Sequence, residues 1–127
     1  MTSAELRYLM AIDELYDGTA GVRLTAIADR MNVTKVSVFK AAERLEQEGC
    51  TQRDEKNKVI ITQKGYEQLK KYDMLIAWLG GHLERNCRVP ADIARRDAMG
   101  AVCAFSEESV RALTEFIARE REKKHDR

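Results

Sequence analysis

With 127 residues, 22 Lys+Arg against 21 Asp+Glu and 44% hydrophobic residues, the chain has room for one compact domain or two small units sharing a core. A charged content of 34% and a mean hydropathy of −0.48 leave no apolar run near the ~20 residues that span a bilayer, which excludes an integral membrane protein. Cys50, Cys87 and Cys103 are widely spaced with no CxxC pair, against a disulfide framework or a zinc knuckle.

Met1 to Arg7 has neither the basic start nor the apolar stretch of a secretory signal, so a cytoplasmic chain is expected. Thr2 and Glu5 form a T-x-x-E capping box, and Leu6, Leu9, Ile12 and Leu15 recur at helical spacing with Tyr8 and Met10. This predicts a first helix of about 14 residues, stopped at Asp17-Gly18-Thr19-Ala20-Gly21. Thr25 is expected to cap a short second helix to Met31 that buries Ile27, Ala28 and Met31. After the break Asn32-Val33-Thr34, a third helix starts at Thr34, buries Val38, Ala41, Ala42 and Leu45, and ends at Gly49. Two helices across so short a turn form a helix-turn-helix.

Cys50 to Arg53, the polar tip Asp54 to Lys58 and the β-branched run Val59-Ile60-Ile61-Thr62 read as a hairpin with a charged loop. A lone two-stranded ribbon is marginal in water, so it should lie against the helices as a wing. Thr62 is placed near the cap of a long helix whose apolar stripe is Leu69, Tyr72, Ile76, Leu79 and Leu83, widened by Met74 and Trp78. Gly80-Gly81 is expected to interrupt or bend it. Pro90 suits the first turn of a helix from about Ala91 to Ala104. Ser106-Glu107-Glu108 caps a last one with Val110, Leu113, Phe116 and Ile117 inward and a solvated tail from Arg119 to Arg127.

The expected fold class is mainly α: a winged helix-turn-helix domain over residues 1–65 with a two-stranded wing, then a helical dimerisation domain over 66–127. The second half is small for independent folding. Its surplus apolar surface, centred on Trp78, Leu79 and Leu83, points to a homodimer.

The third helix carries the sharpest functional signal. A recognition helix lays its N-terminal turns in the major groove, where outward residues must be small or hydrogen-bonding. Here these are Thr34, Lys35, Ser37 and Lys40, suited to guanine edges or phosphates. Thr25 and Arg44 can support backbone contacts, and the wing adds Arg53, Lys56 and Lys58. From Arg23 to Lys64 there are nine Lys+Arg and six Asp+Glu, so a nearly neutral chain has a locally basic face.

The motifs Tyr8-Leu9-x-x-Ile12-x-Glu14-Leu15, Ile27-Ala28, Asn32-Val33-Thr34-x-x-Ser37-Val38, Arg44-Leu45-x-x-Glu48-Gly49 and Thr62-x-Lys64-Gly65, in this order, resemble the DtxR/MntR family of metal-dependent repressors. The likeness extends to Ser106, the cap of the last helix; the family's SH3-like third domain is not expected in these 127 residues, so the shorter MntR-like branch is taken as the nearer comparison. The resemblance implies a homodimeric transcription regulator, expected as a repressor, on a palindromic operator in double-stranded DNA. It also implies an Fe(II) or Mn(II) site, and there this chain departs. At the matched positions stand Arg7, Met10, Tyr72, Ile76, Arg95, Met99, Val102 and Cys103, without a carboxylate or imidazole. Hard cations need such donors, so no metal is expected at this site, and no other cofactor.

Other readings of these residues stay open. Met10, Met99 and Cys103 would make a soft sulfur set suited to Cu(I). Arg7 and Arg95 could hold an anionic effector or replace the metal's charge, and apolar packing could simply have taken over the site. His82, Glu84 and Cys87 suggest a weaker ligand group. Cys50 reads as a packing residue, although a nearby cation such as Arg53 would favour a redox-active thiolate. Glu43, Glu46 and Glu48 on the third helix favour a protein-interaction module without operator binding. An enzyme is not expected, because no nucleophile-base pair or Gly-rich phosphate loop is present.

Overall fold

A computed structural model describes residues 1–125; Asp126 and Arg127, the end of the expected solvated tail, lie outside the described residues. The chain divides into two compact units, Met1–Leu69 and the residues from Lys70 onward.

In the first unit, α1 (Ser3–Leu15) starts on the expected capping box: the Thr2 hydroxyl accepts from the Glu5 amide and the Glu5 carboxylate accepts from the Thr2 amide. Helix α2 (Leu24–Met31) departs from the sequence reading. Thr25 does not cap it. The cap position is Arg23, with no side-chain cap bond, because burial of Leu24 draws the helix start upstream of the hydroxyl. Asn32 ends α2 in the left-handed conformation, at φ 55°, which Asn tolerates better than most residues. That single residue allows the tight turn into α3 (Lys35–Gln47), whose cap is Thr34 as expected.

Strands β1 (Thr51–Arg53) and β2 (Val59–Ile61) pair antiparallel, Gln52 opposite Ile60. Val22 adds an unforeseen bridge to Val59 through two 2.8 Å backbone hydrogen bonds. The core is one cluster built from Leu9, Ile12, Leu24, Ile27, Val38, Leu45, Val59 and Ile61, each of them deeply buried. Burial of each such side chain stabilises the fold by about 1.5–3 kcal/mol before entropy is counted.

The helix-turn-helix, the wing and the next helix are joined at one tight point. Thr62 donates its hydroxyl to the Gly49 carbonyl at 2.6 Å and accepts from the Gly65 amide at 3.1 Å, while its own amide donates to the Cys50 carbonyl. Gly65 lies so close that a Cβ would stand 2.2 Å from the Cys50 carbonyl oxygen. Cys50 itself is buried, and burial followed by the nearby Glu48 pushes its thiol up, away from the reactive thiolate.

From Lys70 onward the unit contains most of α4 (Gln63–Cys87), then α5 (Ala91–Ala104) and α6 (Glu107–His125). Of the interruption or bend expected at Gly80-Gly81, the interruption is not found: helix α4 runs on through both glycines. Gly80 faces Ala94 and Ala98 of α5 at ordinary contact distance, so its missing side chain serves close helix packing. The real end is at Arg88, in the left-handed conformation, with the Val89 amide bonded back to Leu83. Pro90 and Ser106 open α5 and α6 at the expected places. Two details of the stripes differ. Leu75, which the stripe omitted, is fully buried, and Phe116, expected inward, is 41% exposed.

Replacing Gly65 by Ala should cost about 2–3 kcal/mol or more, because the clash is with backbone that no rotamer change relieves; a denaturant midpoint equal to that of the unsubstituted chain would contradict this. Burial, then the Glu5 carboxylate, pushes the Glu48 carboxyl above its ordinary value of 4.5. Folding therefore favours protonated Glu48; the stabilisation is complete below the unfolded value and is lost as pH rises through the folded one. Glu48→Gln should accordingly raise Tm at neutral pH, and the gain should vanish as pH falls below 4.5. Thermal melts across that range test it, and a pH-independent gain would refute it.

Candidate nucleic-acid interface

The outward start of α3 is built by its own cap. Thr34 accepts from the Ser37 amide at 3.1 Å, and the two hydroxyls bond to each other at 2.9 Å. Their first task is thus to fix the helix start, and one hydroxyl proton is spent between them. Lys35 and Lys40 are exposed on the same helix. Beside them the sequence reading missed an apolar component: Val36 is 63% exposed, and Val33 and Phe39 are exposed as well. The signal was available, since neither Val36 nor Phe39 falls on the buried stripe of Val38, Ala41 and Leu45.

Three elements converge at this end. A cleft of about 160 Å³ is lined by Arg23 and Thr25 from the start of α2, Lys35 from α3, and Lys56 and Asn57 from the wing tip. Of the expected DNA-contacting residues it brings together Thr25, Lys35 and Lys56. Arg23 and Asn57 were not foreseen, because only the tertiary fold sets them beside Lys35. The first turn of α2 has no side-chain cap, so its amides and helix dipole favour an anion there.

The wing tip is shaped by Asp54, whose carboxylate accepts from the amides of Lys56 and Lys58 at 2.9 Å each, with Asn57 left-handed at φ 64°. Lys56 is exposed and Lys58 half-buried. Arg53 is placed differently from a free phosphate ligand. Its guanidinium donates twice to Glu46 of α3, at 2.6 and 3.1 Å, and stacks over Phe39 with 4.7 Å to the ring centroid. Its side chain is only 18% exposed, so it clamps wing to helix. Arg44 sits away from the N-terminal end of α3, 4.0 Å from Glu5 of α1.

The positions matched to the family's metal ligands are distributed over both units. In the winged unit Arg7 and Met10 line a shallow cleft of about 250 Å³ with Glu14, Arg30 and Met31, and Glu14 is paired with Arg30 at 2.7 Å. In the helical unit Tyr72, Ile76 and Val102 are buried, Met99 and Cys103 are half-buried, and the Arg95 guanidinium pairs with Asp73 at 3.4 Å. Guanidinium, thioether, phenol, thiol and aliphatic groups do not fit a hard divalent cation. Among the described residues no three His, Cys, Asp or Glu side chains gather into a possible metal cluster. His82 Nδ1 is engaged by the Asn86 amide, and Cys87 is exposed. Trp78, Leu79 and Leu83 are half-buried, with the Trp78 ring edge-on to His82 and Phe116. No helix among the described residues is long and apolar enough to cross a membrane.

No protein-family model matches the sequence, and no curated protein matches it. Among solved structures it is similar to the hypothetical protein SSo2273 from Sulfolobus solfataricus, with TM-score 0.76 and 20% identity over 94% of this chain and 91% of that one. It is similar to the manganese regulator SloR, with TM-score 0.69 and 22% identity over 93% and 55%. It is also similar to IdeR from T. acidophilum, with TM-score 0.60 and 24% identity over 90% and 54%. The chain thus spans about half the length of SloR and IdeR. At these identities the likeness is one of fold, and that fold is DtxR-like: a winged helix with a two-stranded wing, followed in the chain by a helical domain.

Proposed function

We propose that this chain is a cytoplasmic, homodimeric, non-enzymatic transcription regulator, a repressor that binds a palindromic operator in double-stranded DNA. The observation that carries the reading is the convergence of Arg23, Lys35 and Lys56 around the uncapped start of α2, next to the exposed first turns of α3. A DNA phosphate fits that cleft, since it would meet three cations and the positive end of a helix dipole. With the backbone so held, Lys35 and Lys40 reach hydrogen-bond acceptors on base edges, and Val36 offers apolar contact to a thymine methyl. Thr34 and Ser37 set the helix start and leave their remaining hydrogen-bonding capacity for phosphate or base. Arg53 acts by positioning the wing, Lys58 stands at the wing's edge, and Arg44 contributes to the general positive field. The likeness in fold to a manganese regulator supports the same class of function. The helical unit supplies the dimer contact, with Leu79 and Leu83 as its half-buried apolar face.

An interaction module without operator binding draws less support from the acids at the end of α3. Glu46 of α3 is paired with Arg53 and Glu48, at the C-cap, lies against Glu5, so of these three acids Glu43 alone is exposed.

The reading also holds that DNA binding does not wait on Mn(II) or Fe(II), because the matched positions offer no hard donors. Fluorescence anisotropy on fragments from the chain's own promoter region tests each part. Lys40→Ala should weaken specific binding by about 1–3 kcal/mol, whereas Lys56→Ala should lower the slope of log affinity against log salt by about one and weaken all sequences alike. If both variants keep the affinity and the salt slope of the unsubstituted chain, the groove assignment is wrong. Chelation with EDTA should leave operator affinity unchanged, and tight stoichiometric Mn(II) or Fe(II) binding that raises that affinity would refute metal independence.

A further inference from the structure

Between α4 and α6 the helical unit holds a cavity of about 490 Å³, within the roughly 300–1,000 Å³ typical of small-ligand pockets. Its apolar side is aromatic. The Trp78 and Phe116 rings meet edge to face, with centroids 6.2 Å apart at 81°, and buried Ile117 lies beneath them. Its rim is basic, formed by Arg85 of α4 and Arg121 and Lys124 of α6. Among the described residues none of these three cations has an ion-pair partner. The acid on the rim, Glu120, is instead paired with Lys123 at 3.8 Å.

Two further details shape the rim. The Asn86 side-chain amide and His82 Nδ1 are in hydrogen-bond contact at 2.8 Å, which fixes the imidazole at the rim. At Gly81 a Cβ would stand 2.8 and 2.9 Å from the Arg85 guanidinium nitrogens. The glycine that the helix tolerates there is what lets Arg85 lie back along α4.

We propose that this cavity binds a one- or two-ring aromatic carboxylate, its ring against Trp78 and Phe116 and its carboxylate among Arg85, Arg121 and Lys124. Aromatic rings prefer the edge-to-face and offset contacts that the two walls offer, and a carboxylate gains charge-assisted hydrogen bonds from guanidinium donors. A neutral apolar ligand would leave the cations uncompensated. A second copy of the chain is a poor occupant: a twofold contact centred here would set the same basic rim against itself. The site lies wholly within the helical unit and stands whether or not the winged unit binds DNA.

Trp78 is the chain's only tryptophan, so its fluorescence reports this cavity alone. Titrating the full chain with phenylacetate and with diphenylacetate should give a saturable fluorescence change, with one site per chain by calorimetry. Acetate, which lacks the ring, and 2-phenylethanol, which lacks the charge, should bind at least about tenfold more weakly, as expected when one charge-assisted contact set is lost. Arg121→Gln, an exposed substitution, should weaken phenylacetate about tenfold without changing the circular dichroism spectrum. Gly81→Ala keeps every charge, improves helix propensity and displaces the Arg85 guanidinium, so it should weaken binding several-fold. The proposal is overturned by no saturable response, by equal binding of 2-phenylethanol and phenylacetate, or by unchanged affinity in Arg121→Gln. It is equally overturned by a Trp78 signal that follows protein concentration instead of ligand, which would mean that a second copy covers the cavity.

Discussion

Gly65 and the Cys50 carbonyl share a space too small for any side chain, and the winged unit is organised around that contact. It brings the end of α3, the first wing strand and the start of α4 to one point, with Thr62 bonded to Gly49 and Gly65 and its amide to Cys50. The wing has only three residues per strand, so it could not hold its own position. It is fixed at its base by this junction, along its length by the Val22 bridge, and at its side by Arg53 on Glu46 and Phe39. The distance between wing tip and α3, which any groove-binding role requires, follows from these attachments.

The electrostatics of the unit follow the same division between structure and surface. Acids and bases that look alike in the sequence have different tasks. Glu46 and Arg53 neutralise each other at a half-buried seam, where a bidentate pair adds geometric specificity. Glu5 and Arg44 face each other more loosely near the start of α1. With these internal pairs set aside, Arg23, Lys35, Lys40 and Lys56 are the exposed cations around the N-terminal end of α3, so the basic face is sharper than the count of charges indicates.

In the helical unit the glycine pair shows how one sequence signal can carry two physical meanings. Gly80 admits close contact with α5 at Ala94 and Ala98, and Gly81 admits the guanidinium of Arg85. Neither breaks α4, since packing against α5 and the long helix before them outweigh the roughly 1 kcal/mol per residue that glycine costs against alanine. The exposed ring of Phe116 has a related origin. Its neighbours Val110 and Ile117 fill the inward stripe, and Phe116 lies beside it with Trp78 across a cavity.

Local chemistry made much of the fold legible in the sequence: the Thr2 to Glu5 capping box, the Thr34, Pro90 and Ser106 helix starts, the Gly49 stop and the hairpin with its charged tip all depend on residues close in the chain. The buried stripe of α3 followed from helical period alone. What failed were cases where a distant partner outweighs a local preference. Leu24 in the core displaced the cap from Thr25, helix packing kept α4 intact through Gly80-Gly81, and Glu46 took the guanidinium of Arg53. The candidate interface divides in the same way. Lys35, Lys40 and Lys56 could be named from their positions on a predicted helix and loop, but Arg23 and Asn57 could not, because they meet Lys35 only across the folded unit. The sequence by itself determined which segments are helices and which face of each is apolar, since periodicity and caps act over a few residues. Tertiary structure alone decided which charges cancel and which remain exposed together, because that depends on contacts between elements that no local pattern specifies.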